Sequence, residues 1–255
     1  MRLHVHEWGD PVAPPIVCLH GISAHGRRFR QLAEDRLAAR FRIVAPDLRG
    51  HGDSRDDPPW DIENHLGDLD ETLGELGIER ATWLGHSFGG RLVAELAARE
   101  PERIERAVLL DPALQILPHV GHDFAEQTCD GQVFDSIEEA VDLRASRSFT
   151  TPREFLEEDT REQLVQSSDG RLRFRFCRSA TVTGYSEMCT PPPPPETLAV
   201  PTLIVYSPAF GLVRQKHVAA YGALPNIELV AVSGGHIVYW DAFEETAAAI
   251  DRFLG

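Results

Sequence analysis

The chain has 255 residues, 42% of them hydrophobic and 25% charged, a composition that excludes a disordered protein and fits one globular domain with an insertion. Lys and Arg number 25 against 40 Asp and Glu, which leaves a net charge of −15. So acidic a surface argues against nucleic acid or an anionic membrane as the partner and favours a small-molecule substrate.

Neither a signal peptide nor a membrane span is predicted. Charged and polar residues interrupt the segment that follows Met1, and no run of about 18 apolar residues occurs. The four cysteines have no C-x-x-C spacing, and we interpret them as reduced thiols of a cytoplasmic protein. A Cys177–Cys189 disulfide is the alternative.

Apolar runs alternate with amphipathic runs through the first 112 residues. The run Ile16-Val17-Cys18-Leu19 is continuous, as in a strand buried on both faces, whereas the segment 3–8 alternates like an edge strand. Leucines at helical spacing predict a helix over 62–76, which Gly77 closes. The complete pattern predicts strands at 3–8, 16–19, 41–45, 81–84 and 106–110, and helices at 27–40, 62–76 and 92–98.

The same alternation resumes near the C-terminus. Strands are predicted at 201–206 and 227–232, followed by a closing helix over 241–254 with Asp241 as its cap. Strand and helix alternate throughout, so the sequence predicts an α/β fold with a mostly parallel twisted sheet and helices on both faces.

The rhythm changes between residues 113 and 197. This stretch has no strongly apolar strand run, and charge-rich helical segments are predicted at 136–148, 152–166 and 174–188. The five prolines 191–195 predict an extended strut that returns to the core. The sequence therefore predicts a core formed by 1–112 and 198–255 and a helical insertion formed by 113–197.

The segment Gly85-His86-Ser87-Phe88-Gly89 carries the most specific motif. An apolar strand run precedes it and a helical run follows it, so this G-x-S-x-G pattern predicts a nucleophile elbow with Ser87 at its tip. The small residues on both sides of the serine let strand and helix approach closely. The helix N-terminus then directs partial positive charge towards a developing oxyanion.

Three further motifs accompany the elbow, in a fixed order along the chain. They are His20-Gly21 after an apolar run, the segment 47–54, and Gly234-Gly235-His236. With these motifs the chain resembles the α/β-hydrolase superfamily over nearly its whole length, and most of all its small lid-bearing carboxylesterases. The resemblance implies an α/β-hydrolase fold in which the insertion 113–197 is a lid.

The resemblance also implies roles for particular residues. Ser87 would be the nucleophile and His236 its general base, and the backbone N–H groups of Ile22 and Phe88 would form the oxyanion hole. His86 is expected to pack beneath the turn and to point away from the substrate.

The acid of the triad is where the sequence departs from the family pattern. The family usually carries Asp or Glu on the loop after its seventh strand, but no carboxylate occurs here from Thr197 to Asn226, and Ala209 lies about where it is expected. We predict Asp111, at the end of the strand after the elbow strand, as the acid. The alternatives are a turn role for Asp111 before Pro112, or a Ser87–His236 dyad whose ring is oriented by Ser207 or water.

The predicted function is serine hydrolysis of a carboxylic ester, by a monomer or a homodimer, with no metal or cofactor. The alternatives are a lactone, thioester or carbamate substrate, carbon–carbon bond hydrolysis, perhydrolase or acyltransferase chemistry, and a non-catalytic ligand-binding role.

Arg27, Arg28 and Arg30 open the helix predicted at 27–40. A solvated helix face is the favoured interpretation of these arginines, and contact with a substrate carboxylate is the alternative.

Overall fold

The computed structural model describes residues 1–129, 133–148 and 150–255. The strands are β1 (Val5–Trp8), β2 (Pro15–Leu19), β3 (Arg42–Pro46), β4 (Ala81–His86), β5 (Ile104–Leu110), β6 (Val133–Phe134), β7 (Leu164–Gln166), β8 (Leu172–Phe174), β9 (Thr202–Tyr206) and β10 (Ile227–Ala231). The helices are α1 (Arg30–Leu32), α2 (Ile62–Glu75), α3 (Phe88–Arg99), α4 (Pro118–Cys129), α5 (Ile137–Arg147), α6 (Arg153–Gln163), α7 (Arg178–Cys189), α8 (Gln215–Gly222), α9 (Val238–Asp241) and α10 (Phe243–Leu254).

Seven strands form the central sheet in the order β1-β3-β2-β4-β5-β9-β10. β1 pairs antiparallel with β3, and the other pairs are parallel. Side chains of one strand enter opposite cores: Val17 and Leu19 join one apolar cluster, and Ile16 and Cys18 join the other. The predicted fold class is therefore confirmed, and the carboxyl ends of the parallel strands meet at one edge.

The predicted helix over 27–40 is irregular. A 3₁₀ turn at Gly26–Phe29, the short α1 and a π-helical turn at Ala33–Leu37 replace one continuous helix. The start of this segment is fixed by a residue of another part of the chain, because the Gly26 N–H donates to Asp47 Oδ1 at 2.7 Å. Tertiary contacts thus override the local helical pattern, although the apolar positions are buried as the pattern predicted.

The 113–197 segment combines helices α4 to α7 with a small antiparallel sheet in the order β6-β8-β7. The predicted helices over 136–148, 152–166 and 174–188 correspond to α5, α6 and α7, although β7 takes the end of the second and β8 the start of the third. Strands of two or three residues are too short to produce a recognisable alternation of apolar and polar residues in the sequence. Residues 130–132 and 149 of the segment lie outside the described residues.

One buried arginine ties both ends of this segment to α3. Arg91 Nη1 donates to Leu114 O at 2.9 Å and to Thr190 O at 3.1 Å, while Nη2 donates to Pro191 O at 2.9 Å. Charge-assisted hydrogen bonds to backbone carbonyls are among the stronger ones in a protein interior. The segment is therefore anchored directly behind the nucleophile elbow.

One further prediction is corrected. Asp241 does not cap α10, which begins at Phe243; its carboxylate accepts instead from the Ile237 N–H at 3.1 Å, in the turn that starts α9. All four cysteines are free, as predicted, and the Cys177–Cys189 alternative is wrong. Over the described ranges, no helix combines the length and apolarity that crossing a bilayer requires.

Candidate active site

Ser87 occupies a tight turn between β4 and α3. Its φ of 54° and ψ of −114° lie where side chains are strained. A Cβ at Gly85 would lie 2.5 Å from Gly89 O, and a Cβ at Gly89 would lie 2.1 Å from Leu19 O. Both glycines are therefore required by the close approach of strand and helix, as the motif predicted.

His236 and Asp111 meet at the same edge of the sheet. His236 Nδ1 lies 2.7 Å from Asp111 Oδ2, and Asp111 Oδ1 accepts from the Ser207 N–H at 3.2 Å. Asp111 is fully buried. Because the carboxylate can only accept, it selects the imidazole tautomer with hydrogen on Nδ1, which leaves the Nε2 lone pair available as a base.

The structure brings the three residues of the predicted triad to one place. Ser87 and His236 line the same cavity, although no direct hydrogen bond joins their side chains within the described chain. Such bonds are often long in a free enzyme and shorten when substrate is bound. Backbone strain concentrates here as well, since the non-glycine residues with positive φ in the described ranges are Ser23, Ser87 and Asp111.

Ser207 does not orient the imidazole. Its hydroxyl donates to Gly234 O at 2.6 Å, and its backbone N–H serves Asp111. The exposed ring of Phe210 stacks on His236 with ring centroids 4.6 Å apart. The imidazole of His236 is therefore bonded at its Nδ1 edge to the buried Asp111 carboxylate and is covered on one face by the Phe210 ring.

His86 is buried under the elbow but borders the cavity, which corrects the expectation that it points away. Its Nε2–H donates to His236 O at 3.1 Å. Burial and the neighbouring His236 lower the pKa of His86 well below its ordinary range, so it is neutral near pH 7. Its contact supports the backbone of the loop that carries His236.

The loop after β2 passes directly beside Ser87, because a Cβ built on Gly21 would lie 3.4 Å from Ser87 Oγ. His20 Nδ1–H donates to Gly21 O at 2.7 Å, and its Nε2 accepts from the Leu48 N–H at 2.9 Å. Burial lowers the pKa of His20 well below its usual value, which keeps this neutral tautomer. Since C=O and N–H point oppositely in a trans peptide, fixing the Gly21 carbonyl also fixes the Ile22 N–H.

Phe88 is the first residue of α3, so its N–H has no acceptor within the helix. Its side chain lies away from the cavity, with the ring centroid 5.3 Å from that of His65. Sequence reasoning named the backbone donors Ile22 and Phe88 but gave His20 no role; its position directly before Gly21 was the available signal.

A cavity of about 310 Å³ opens beside Ser87. The core contributes Ile22, Ser87 and His236 to its wall, and the 113–197 segment contributes mainly aromatic and aliphatic side chains together with Arg144 and Arg147. This volume is at the lower end for sites that bind small organic molecules.

A cluster of possible metal ligands lies outside this cavity. Donor atoms of His4, His6 and Asp47 lie within 4.8 Å of one another. The Asp47 carboxylate also accepts from the N–H groups of Gly26 and Asp53, at 2.7 and 2.9 Å. These bonds give Asp47 a structural role at the loop after β3.

Comparison with known proteins agrees with this architecture. The alpha/beta hydrolase fold family matches residues 14–243, and the chain belongs to that family. It is 30% identical to Lipase LipV of Mycobacterium tuberculosis over 99% of this chain and 98% of that protein. It is 27% identical to the sn-1-specific diacylglycerol lipase ABHD11 of Mus musculus, over 96% of this chain and 82% of that protein.

Among solved structures, E-2-(acetamidomethylene)succinate hydrolase has a TM-score of 0.88 at 24% identity, over 99% of this chain and 94% of that one, a likeness of fold. The match to the family model, together with the similarity to Lipase LipV, confirms the predicted superfamily, and the protein is a hydrolase of the α/β type.

Proposed function

We propose that this protein is a serine hydrolase that cleaves carboxylic esters of small molecules through an acyl-enzyme on Ser87. The observation that carries the proposal is the strained Ser87 in the same cavity as an imidazole whose Nδ1 is bonded to a buried carboxylate. The similarity to two proteins named as lipases supports an ester as the substrate bond.

In the proposed mechanism, His236 Nε2 takes the proton of Ser87 as the hydroxyl attacks the ester carbonyl. Asp111 holds the ring in the required tautomer and stabilises the imidazolium that forms. The N–H groups of Ile22 and Phe88 donate to the oxyanion of the tetrahedral intermediate. His236 then protonates the leaving alkoxide, and a water activated by the same nitrogen cleaves the acyl-enzyme.

We further propose that the 113–197 segment is a lid that selects the substrate. Aromatic and aliphatic side chains of this segment, among them Phe124, Phe174 and Met188, form the cavity wall that faces the core. An apolar wall excludes water from the acyl-enzyme and favours a partly apolar acyl group.

A fluorophosphonate probe tests the proposal directly. We expect labelling of Ser87, identified by mass spectrometry of the modified peptide, and no labelling of Ser87→Ala. A series of p-nitrophenyl esters of increasing chain length should then show an optimum at short chains, because the cavity is small. A wild-type protein that is folded but neither labelled nor active on any ester of the series would contradict the proposal.

A further inference from the structure

Although the protein as a whole is strongly acidic, the mainly apolar wall of the cavity also carries positive charge. Arg28 from the core and Arg144 and Arg147 from α5 line it, and the lining residues in the described ranges include no Asp or Glu. The chain as a whole carries a net charge of −15. The cavity therefore has a local charge opposite to that of the molecule, and the predicted solvated face is wrong for Arg28.

Arg28 and Arg144 share one buried carboxylate. Arg28 donates to both oxygens of Asp159, from Nε at 2.9 Å and from Nη2 at 2.8 Å, and Arg144 Nη2 donates to Oδ2 at 2.5 Å. Asp159 is 3% exposed, and its pKa is well below its usual range because the two guanidiniums outweigh its burial. Two cations and one anion leave one positive charge in excess.

This excess is costly without a counterion. A buried charge is stable only when it is paired and hydrogen-bonded. Burial lowers the pKa of Arg144 despite its contact with Asp159, which is the direction expected of an incompletely compensated cation. The neighbouring Arg147, exposed and bonded to the Gln127 carbonyl oxygen at 3.3 Å, adds a second cation on the same helix.

We propose that the cavity binds substrates whose acyl chain ends in a carboxylate, held by Arg144 with Arg28 and Arg147. The proposal rests on the proposed ester hydrolysis at Ser87 and specifies its substrate class. A carboxylate accepts two hydrogen bonds from a planar guanidinium, and the apolar side chains that line the same cavity suit a short methylene chain.

The other arginines of the segment 27–30 have different surroundings. Arg27 is half exposed and pairs with Glu162 at 2.6 Å, and Arg30 pairs with Glu158. Neither lines the cavity beside Ser87. Arg27 therefore offers a matched control, since its replacement removes the same charge beside the segment 113–197 without touching the proposed carboxylate site.

The test compares two methyl esters of equal chain length in a pH-stat: monomethyl glutarate, which carries a terminal carboxylate, and methyl valerate, which ends in a methyl group. We expect kcat/KM to favour monomethyl glutarate by about 10- to 100-fold, the range of one or two charge-assisted hydrogen bonds. Arg144→Gln should abolish most of this ratio, whereas Arg27→Gln should leave it unchanged.

Arg144→Gln removes a partner of a buried carboxylate and can affect folding. Arg147→Gln changes an exposed residue and should lower the same ratio while the melting temperature is preserved. Glutarate itself should inhibit methyl valerate hydrolysis by the wild-type protein competitively, a measurement that needs no variant.

Equal kcat/KM values for the two esters, together with no inhibition by glutarate, would overturn the carboxylate site while fluorophosphonate labelling of Ser87 left the hydrolase proposal standing. If Ser87 is not labelled, the proposed hydrolysis fails. Calorimetric titration with glutarate then tests the carboxylate site independently of catalysis, and absence of binding overturns the proposed site.

Discussion

Replacing Asp111 with Asn tests the proposed acid without changing its size. The carboxylate serves two donors, the Ser207 N–H and His236 Nδ1–H. An asparagine has only one acceptor oxygen. If that oxygen stays with the Ser207 N–H, the amide NH₂ faces Nδ1, and the imidazole must carry its hydrogen on Nε2. That tautomer cannot accept the proton of Ser87.

The opposite orientation of the amide is unfavourable. It would point NH₂ at the Ser207 N–H in a site where residue 111 is fully buried. An unsatisfied buried donor costs about 1–3 kcal/mol. The asparagine should therefore hold the unreactive tautomer. In serine proteases the equivalent change lowers kcat about 10⁴-fold, which corresponds to roughly 5 kcal/mol in the barrier.

The assay is steady-state hydrolysis of a short p-nitrophenyl ester, with Ser87→Ala as background and thermal melting of each variant. Ser207→Ala is the matched control, because it removes the hydroxyl bonded to Gly234 O but keeps the N–H bonded to Asp111. We expect it to change kcat by less than about tenfold, the value of one neutral hydrogen bond. A folded Asp111→Asn protein with wild-type kcat would refute the reasoning. If Ser207→Ala lowers kcat as much as Asp111→Asn does, the result would favour a Ser87–His236 dyad whose ring is oriented by Ser207.

Two further predictions concern stability. Gly89→Ala should lower the free energy of unfolding by about 1–3 kcal/mol in urea titration, because the new methyl group meets Leu19 O, whereas Gly74→Ala in α2, with open space around it, should not destabilise. Burial lowers the pKa of five histidines: His20, His51, His65, His86 and His217. Between pH 7.5 and 5.5 these imidazoles bind protons in the unfolded chain but stay neutral in the folded protein. The free energy of unfolding should therefore fall on acidification, by roughly 1.4 kcal/mol per ring. His65→Gln should reduce this fall, and an unchanged pH dependence would show that His65 does not contribute.

The central sheet could be predicted from the sequence because its strands are buried on both faces. Ile16 to Leu19 must be apolar at every position, and the same holds for much of β5 and β9. Ser87 could be found for a related reason. A serine between two glycines, at the junction of a strand and a helix, satisfies a local steric requirement that is written in consecutive residues.

The charged wall of the cavity could not be predicted in the same way. Arg28 and Asp159 are separated by 131 positions along the chain, and Arg144 lies on a different helix from either. Charges at helical spacing usually mark a solvated surface, so local sequence favoured the wrong environment for Arg28. Only the packing of α5 and α6 against the core puts these groups together.

Asp111 as the proposed acid is consistent with the geometry of neighbouring parallel strands. β5 and β9 are paired, with Leu110 opposite Val205, and the Asp111 N–H donates to Val205 O at 2.7 Å. A carboxylate at the end of β5 therefore differs from one at the end of β9 by one strand spacing, about 4.8 Å, which a side chain and a loop can absorb. The acid must contact His236 Nδ1 from a buried position, and either of the two neighbouring strands can carry it. The strand-end carboxylates next to the usual position are therefore the first candidates when a hydrolase sequence lacks its expected acid.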